Sequence, residues 1–126
     1  MPLWLWVALG SAVGGVVRYA VARLWPTVLG GWPLATMGVN VAGSLAIGAL
    51  SVWLASRESA SGVGVETMRL FWMTGVLGGF TTYSAFALET VTLAEGGAVL
   101  RAAAYASLTV LLCIAAAAAG RLLASS

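Results

Sequence analysis

The chain has 126 residues, of which 61% are hydrophobic and 8% charged, with a formal net charge of +2 and a mean hydropathy of +1.00. Soluble domains carry about 25% charged residues, so this composition belongs in a bilayer, and at about 20 residues per span the length allows about four spans joined by short loops. That leaves no room for a soluble catalytic domain, and the charge is too small for the basic footprint of a nucleic-acid binder.

The first predicted span is Leu3–Leu24. Trp4, Trp6 and Trp25 lie near its ends, where indole rings favour the membrane interface. With no basic stretch ahead of its apolar run, it reads as a span and not as a cleaved signal peptide. Gly10 and Gly14 form a small-xxx-small face, widened by Gly15, that lets another helix approach closely. Arg18 is the anomaly, since a central arginine costs about 2.5–3.5 kcal/mol on insertion scales. It reads either as an anchor snorkelling to the interface or as a positive charge at the mouth of an aqueous vestibule.

A short loop, TVLGGWP, follows, and its Pro33 suits the first turn of the next helix. The second span is Leu34–Ala55. Thr36, Asn40 and Ser44 recur every four residues and Ser51 follows, which places them on one polar stripe. An asparagine inside a span must find a partner or water. Asn40 therefore serves either as interhelical glue or as a donor lining a pore. The stripe contains no carboxylate. Residues 56–66, SRESASGVGVE, predict a solvated loop.

The third span, 68–93, is predicted to be broken near its middle. Gly78 and Gly79 each weaken a helix by roughly 1 kcal/mol, and Thr81 and Thr82 offer hydroxyls that compete for nearby carbonyls. Unpaired backbone at that depth survives only when buried in protein or facing a wet cavity. Tyr83 and Phe86 share a face beyond the break, and Ser84 lies beside it. Glu89 reads as a snorkelled or paired carboxylate near the interface. The fourth span, 99–124, is alanine-rich, and Tyr105, Thr109 and Cys113 form a second stripe at a spacing of four. This stripe serves helix packing or a pore. Cys113 is the single cysteine, which excludes an intrachain disulfide and reads first as a small buried side chain.

With four spans, Arg57, Arg69 and Arg121 fall on one side of the membrane. Arg23 and Arg101 fall on the other, with Arg18 leaning toward it. So little bias permits insertion both ways up and an antiparallel pair of opposite copies.

The chemistry narrows from there. Histidine and aspartate are absent, no serine has a visible base partner, and no phosphate-cradling loop appears, so an enzyme is not expected. A proton-coupled transporter needs a titratable group well inside the membrane, and small four-helix multidrug exporters carry a glutamate in their first span that this chain lacks. An anion pore fits better. Amide and hydroxyl donors, the Arg18 guanidinium and the positive ring edges of Tyr83 and Phe86 can replace the water of a small halide. Carbonyls freed near Gly78 and Thr81 can hold a cation. The rival readings are a small exporter of organic cations and a structural membrane subunit.

Three stretches, GGVVRY (14–19), GVNVAGS (38–44) and GVLGGFTTYSAF (75–86), together resemble the Fluc/CrcB fluoride ion channel family. The resemblance touches three of the four spans, in order. It implies an all-α membrane protein of four transmembrane helices, the third broken, forming one channel domain over residues 1–126. It further implies an antiparallel, dual-topology homodimer in the cell membrane that passively exports fluoride and so confers resistance to it. By position, Asn40 matches the pore asparagine that contacts fluoride and Phe86 the second of two pore phenylalanines. Tyr83 takes the place of the first, a departure that adds a hydroxyl. Gly78 and Thr81 match the break whose backbone carbonyls, two from each subunit, hold a structural Na⁺ at the dimer interface. Ser84, Tyr105 and Thr109 match a polar track along the pore, and Arg18 a vestibule arginine. Ala85 stands where the family often has threonine.

Overall fold

The computed structural model describes residues 1–25, 30–57 and 62–126. The described chain is a bundle of helices: α1 (Leu3–Leu24), α2 (Leu34–Ala55), α3 (Gly62–Arg69), a π-helical stretch (Leu70–Leu77), the single turn α4 (Gly78–Phe80), α5 (Tyr83–Glu95) and α6 (Val99–Ser125). Helices α1, α2 and α6 are each long and apolar enough to cross a membrane. The segment from Gly62 to Glu95, interrupted at Thr81 and Thr82, is the fourth crossing. Apolar side chains such as Val16 and Leu111 face outward, as a lipid solvent requires.

The bounds of the first two spans agree with the sequence reading, and the fourth runs one residue further. Pro33 stands immediately ahead of α2 instead of inside its first turn; residues 26–29 of the preceding loop lie outside the described residues. The predicted loop 56–66 is shorter than expected. Its residues 58–61 are not described, but from Gly62 onward the chain is already helical.

The third span shows one further difference and one refinement. Eight residues, Leu70–Leu77, wind as a π-helix, a rare form often found at functional sites. The expected break is present near the middle of the span, and of the two pairs in it the threonines, not the glycines, leave the helix. Gly78 keeps helical angles, φ −63° and ψ −37°. The chain leaves the helix at Thr81 (φ −80°, ψ 158°) and Thr82 (φ −149°, ψ 114°).

Close packing explains why Gly79 stays helical. A Cβ added to Gly79 would sit 2.5 Å from the Ser11 carbonyl oxygen, and one added to Gly14 would collide with the carbonyl oxygen of Val76. The small face of α1 is thus the seat of the π-helical stretch and α4, which offsets the poor helix propensity of glycine by backbone-to-backbone contact. Gly15, expected to widen that face, has open space beside it. On the other side of the bundle, α2 and α6 meet through Gly48, whose added Cβ would strike the Ala117 carbonyl. The first pairing holds the third span in register against α1, and the second ties α2 to α6.

Candidate functional site

The break exposes backbone groups that need partners, and α2 supplies them. The Asn40 amide sits opposite Thr82 and bonds it twice. Nδ2 donates to the Thr82 carbonyl at 2.9 Å, and Oδ1 accepts from the Thr82 N–H at 2.7 Å. One planar side chain thereby replaces the helical partners that Thr82 has lost, as a neighbouring strand would. Leaving either buried group unmatched would cost about 1–3 kcal/mol. Thr82 Oγ1 in turn accepts from the Ala85 N–H at 3.2 Å and caps α5.

The same bonds strip two carbonyls of their donors. In an uninterrupted helix the Thr82 N–H would return to Gly78 and the Ala85 N–H to Thr81. Here they go to Asn40 and to the Thr82 hydroxyl. The carbonyls of Gly79 and Phe80 lose the N–H groups of Tyr83 and Ser84 in the same way, so Gly78 and Thr81, the two residues expected to bind a cation, are among four consecutive carbonyls left without helical donors. Thr81 spends its own hydroxyl on the Leu77 carbonyl at 2.9 Å.

Two cavities flank the Asn40–Thr82 pair. The larger, about 390 Å³, is lined by Asn40 and Ser44 of α2, Met73, Gly78 and Thr81 of the broken segment, Tyr83 and Phe86 of α5, and Thr109 and Cys113 of α6. The smaller, about 220 Å³, is lined by Arg18, Ala22, Ala35, Thr36, Val39, Thr82, Ala85 and Glu89. Thr82 belongs to both. Along α2 the smaller cavity takes Thr36 and the larger takes Ser44, with Asn40 between them.

Arg18 donates from Nε to the Gly79 carbonyl at 3.1 Å. The arginine of α1 thus holds one of the carbonyls near the break while lining the smaller cavity. Glu89, at the other wall, is fully engaged. Its Oε1 accepts from Thr36 Oγ1 at 2.7 Å and its Oε2 from the Tyr105 hydroxyl at 2.7 Å. Of the two readings of Glu89, the structure gives the paired one. The three-residue cluster itself was missed at the sequence level, where Thr36 and Tyr105 were read as members of separate stripes. An acidic residue inside an apolar span facing two helices with hydroxyls was the available signal.

The aromatic residues form a row. Phe86 is buried, and its ring centroid lies 5.4 Å from Tyr83 and 5.5 Å from Tyr105. Tyr105 is fully buried, whereas Tyr83 is 78% exposed in the single chain. Thr109 is buried, and its Oγ1 has no hydrogen-bond partner. Ser84 is exposed and lines neither cavity; its Oγ stands 3.4 Å from Thr82 Oγ1. The larger cavity therefore gathers Asn40, Tyr83, Phe86, Thr109, Gly78 and Thr81, the smaller takes Arg18, and Tyr105 touches both through Phe86 and Glu89. Ser51, last on the α2 stripe, turns away. It donates to the Gly48 carbonyl and accepts from Arg121 Nη1 at 3.0 Å.

Such an arrangement offers a dehydrated ion neutral donors and ring edges in the larger cavity, and a guanidinium and a carboxyl group only in the smaller. Among the described residues there is no cluster of three His, Cys, Asp or Glu side chains that could hold a metal.

Comparison with known proteins agrees. The model of the CrcB family, described as CrcB-like protein, Camphor Resistance (CrcB), matches residues 5–121. A fluoride-specific ion channel FluC of Hyphomonas neptunium is 50% identical over 111 residues, covering 86% of this chain and 84% of that protein. The FluC of Paracoccus denitrificans is 46% identical over 117 residues, covering 93% and 90%. That of Caulobacter vibrioides strain NA1000 / CB15N is 47% identical over 121 residues, covering 95% and 93%. With its interrupted third span and its amide-clamped break, this multi-pass membrane protein belongs to the CrcB family, alongside relatives named as fluoride-specific ion channels.

Proposed function

We propose that the chain is a channel and not an enzyme, and that it carries fluoride passively across the plasma membrane. The observation that carries this reading is the Asn40–Thr82 joint with uncharged donors around it. An amide has two N–H bonds, and Asn40 spends one on Thr82. The second, together with Thr109 Oγ1 and the edges of the Tyr83 and Phe86 rings, is free to replace water around a small anion. Tyr105 and Ser84 extend the polar track on either side, and Arg18 attracts anions at the far cavity. With no carboxylate lining the larger cavity, cations find no charged acceptor there. A negative cell interior favours anion exit by about 2.3 kcal/mol per charge per 100 mV, so flux outward needs no coupling and relieves fluoride toxicity.

The working unit in this reading is an antiparallel homodimer. Tyr83 supports it: a tyrosine 78% exposed beside a mid-span break is a poor lipid-facing group unless a second copy covers it. Arginines at both ends of the bundle, Arg57 and Arg121 at one and Arg23 and Arg101 at the other, agree with insertion in both orientations. The Gly78 and Thr81 carbonyls, freed of helical donors, would hold a Na⁺ between the copies; bound there, it would neutralise facing carbonyl dipoles and pin the two breaks together.

The test is purified protein in liposomes with a fluoride electrode outside. Fluoride release that needs no proton gradient is expected. No release, or release only against a counter-moving proton, would sink the proposal.

A further inference from the structure

The bonds of the Asn40–Thr82 joint also run in series. The Thr81–Thr82 peptide is trans, and in a planar trans unit the carbonyl and the N–H point in opposite directions. Its N–H is fixed on Asn40 Oδ1 at 2.7 Å. The Thr81 carbonyl therefore points away from the Asn40 amide, and none of the described residues donates to it. At the other end, Asn40 Nδ2 spends one N–H on the Thr82 carbonyl at 2.9 Å and keeps the second. Two amide units thus stand end to end, with an open oxygen at one end, an open N–H at the other and one short hydrogen bond between them. Charge drawn to the oxygen of an amide makes its N–H a stronger donor, and hydrogen bonds in such a chain strengthen one another by about 10–30% each.

We propose that the Thr81–Thr82 peptide and the Asn40 side chain form a relay that couples a small monovalent cation at the Thr81 carbonyl to an anion at the open Asn40 N–H, so that each raises the affinity for the other. The inference rests on the anion and cation roles set out above. When the Thr81 oxygen faces positive charge, the Thr82 N–H donates more strongly to Oδ1. Oδ1 then draws on Nδ2 and leaves the open N–H a better donor. No proton leaves its nitrogen. An anion at that N–H sends the same change back to the Thr81 oxygen, since coupling between two binding sites is reciprocal. A site sealed from water makes the effect larger, because the local dielectric is low.

Asn40 is the single asparagine and the chain has no glutamine, so isotope-labelled protein gives one side-chain amide pair in a nitrogen–proton NMR spectrum. The experiment follows this pair and the Thr82 N–H in detergent while Na⁺ is titrated into N-methylglucamine buffer, with fluoride or an equal concentration of chloride. Both signals are expected to move downfield together as Na⁺ rises, with one half-saturation point. Fluoride should move one proton of the pair well beyond the other. It should also lower the Na⁺ needed for half-saturation about fivefold or more relative to chloride. An Asn40 pair that ignores Na⁺, or a half-saturation point that is the same in fluoride and chloride, would overturn the relay. Fluoride release from liposomes is measured in parallel. Release by a protein whose Asn40 pair ignores Na⁺ removes the relay and keeps the conduction reading. Coupled shifts in a protein that releases no fluoride do the opposite.

Discussion

The two cavities on either side of the Asn40–Thr82 joint are built from opposite materials. The smaller holds Arg18 and Glu89, each with a hydrogen-bonded partner. The larger has no ionisable acid or base apart from the Cys113 thiol and the Tyr83 phenol, and relies on amide, hydroxyl, carbonyl and ring edge. Charge attracts an ion from a distance but also holds it. Neutral donors replace hydration one contact at a time, and let go. The pairing suggests a division between collecting an anion and discriminating it, with the amide at the border belonging to the second task.

Four changes break or sharpen that contrast. Asn40→Asp should do most. It puts a like charge at the border, costing several kcal/mol, and removes the donor to Thr82. Fluoride release should fall about a hundredfold or more. Unchanged release would mean the border is not on the ion path. Gly14→Ala tests what keeps the two cavities in place. Its added carbon meets the Val76 carbonyl, so thermal unfolding in detergent should show a loss of about 3 kcal/mol or more, whereas Gly15→Ala, which meets open space, should show none. Tyr105→Phe leaves Glu89 one donor short inside the bundle and should cost about 2 kcal/mol, with a smaller drop in flux than at Asn40. Tyr83→Phe should be mildest. The ring edge remains, and release should stay within about twofold of wild type. A large loss would give the Tyr83 hydroxyl a direct part in handling the ion.

Much of this architecture could be read before any coordinates. Span ends at Leu24, Leu34 and Ala55 follow from where apolar runs stop, because a bilayer has a fixed thickness. The polar stripe on α2 pointed to Asn40 because an amide in lipid needs a partner. Four details escaped. The π-helical winding of Leu70–Leu77 leaves no trace in composition, since an apolar run reads alike in either helix. The break itself was legible, but not which pair in it leaves the helix, because propensity cannot see that α1 presses against Gly79. The start of the third span at Gly62 was hidden by glycine, serine and charge, which resemble a loop until neighbouring helices give them something to pack on. The tie between Glu89, Thr36 and Tyr105 joins three segments far apart in sequence, and only the fold brings them together.

The double bond between Asn40 and Thr82 has a mechanical consequence. Both contacts come from one flat group on α2 and both end on one residue of the third span, so they are made or lost as a pair. A turn of α2 by a single residue, about 100°, would carry the amide away from both partners at once. A smaller turn strains both contacts together. Any opening or closing of this joint is therefore a click and not a slide, and the wall it forms is felt on its two faces in the same instant.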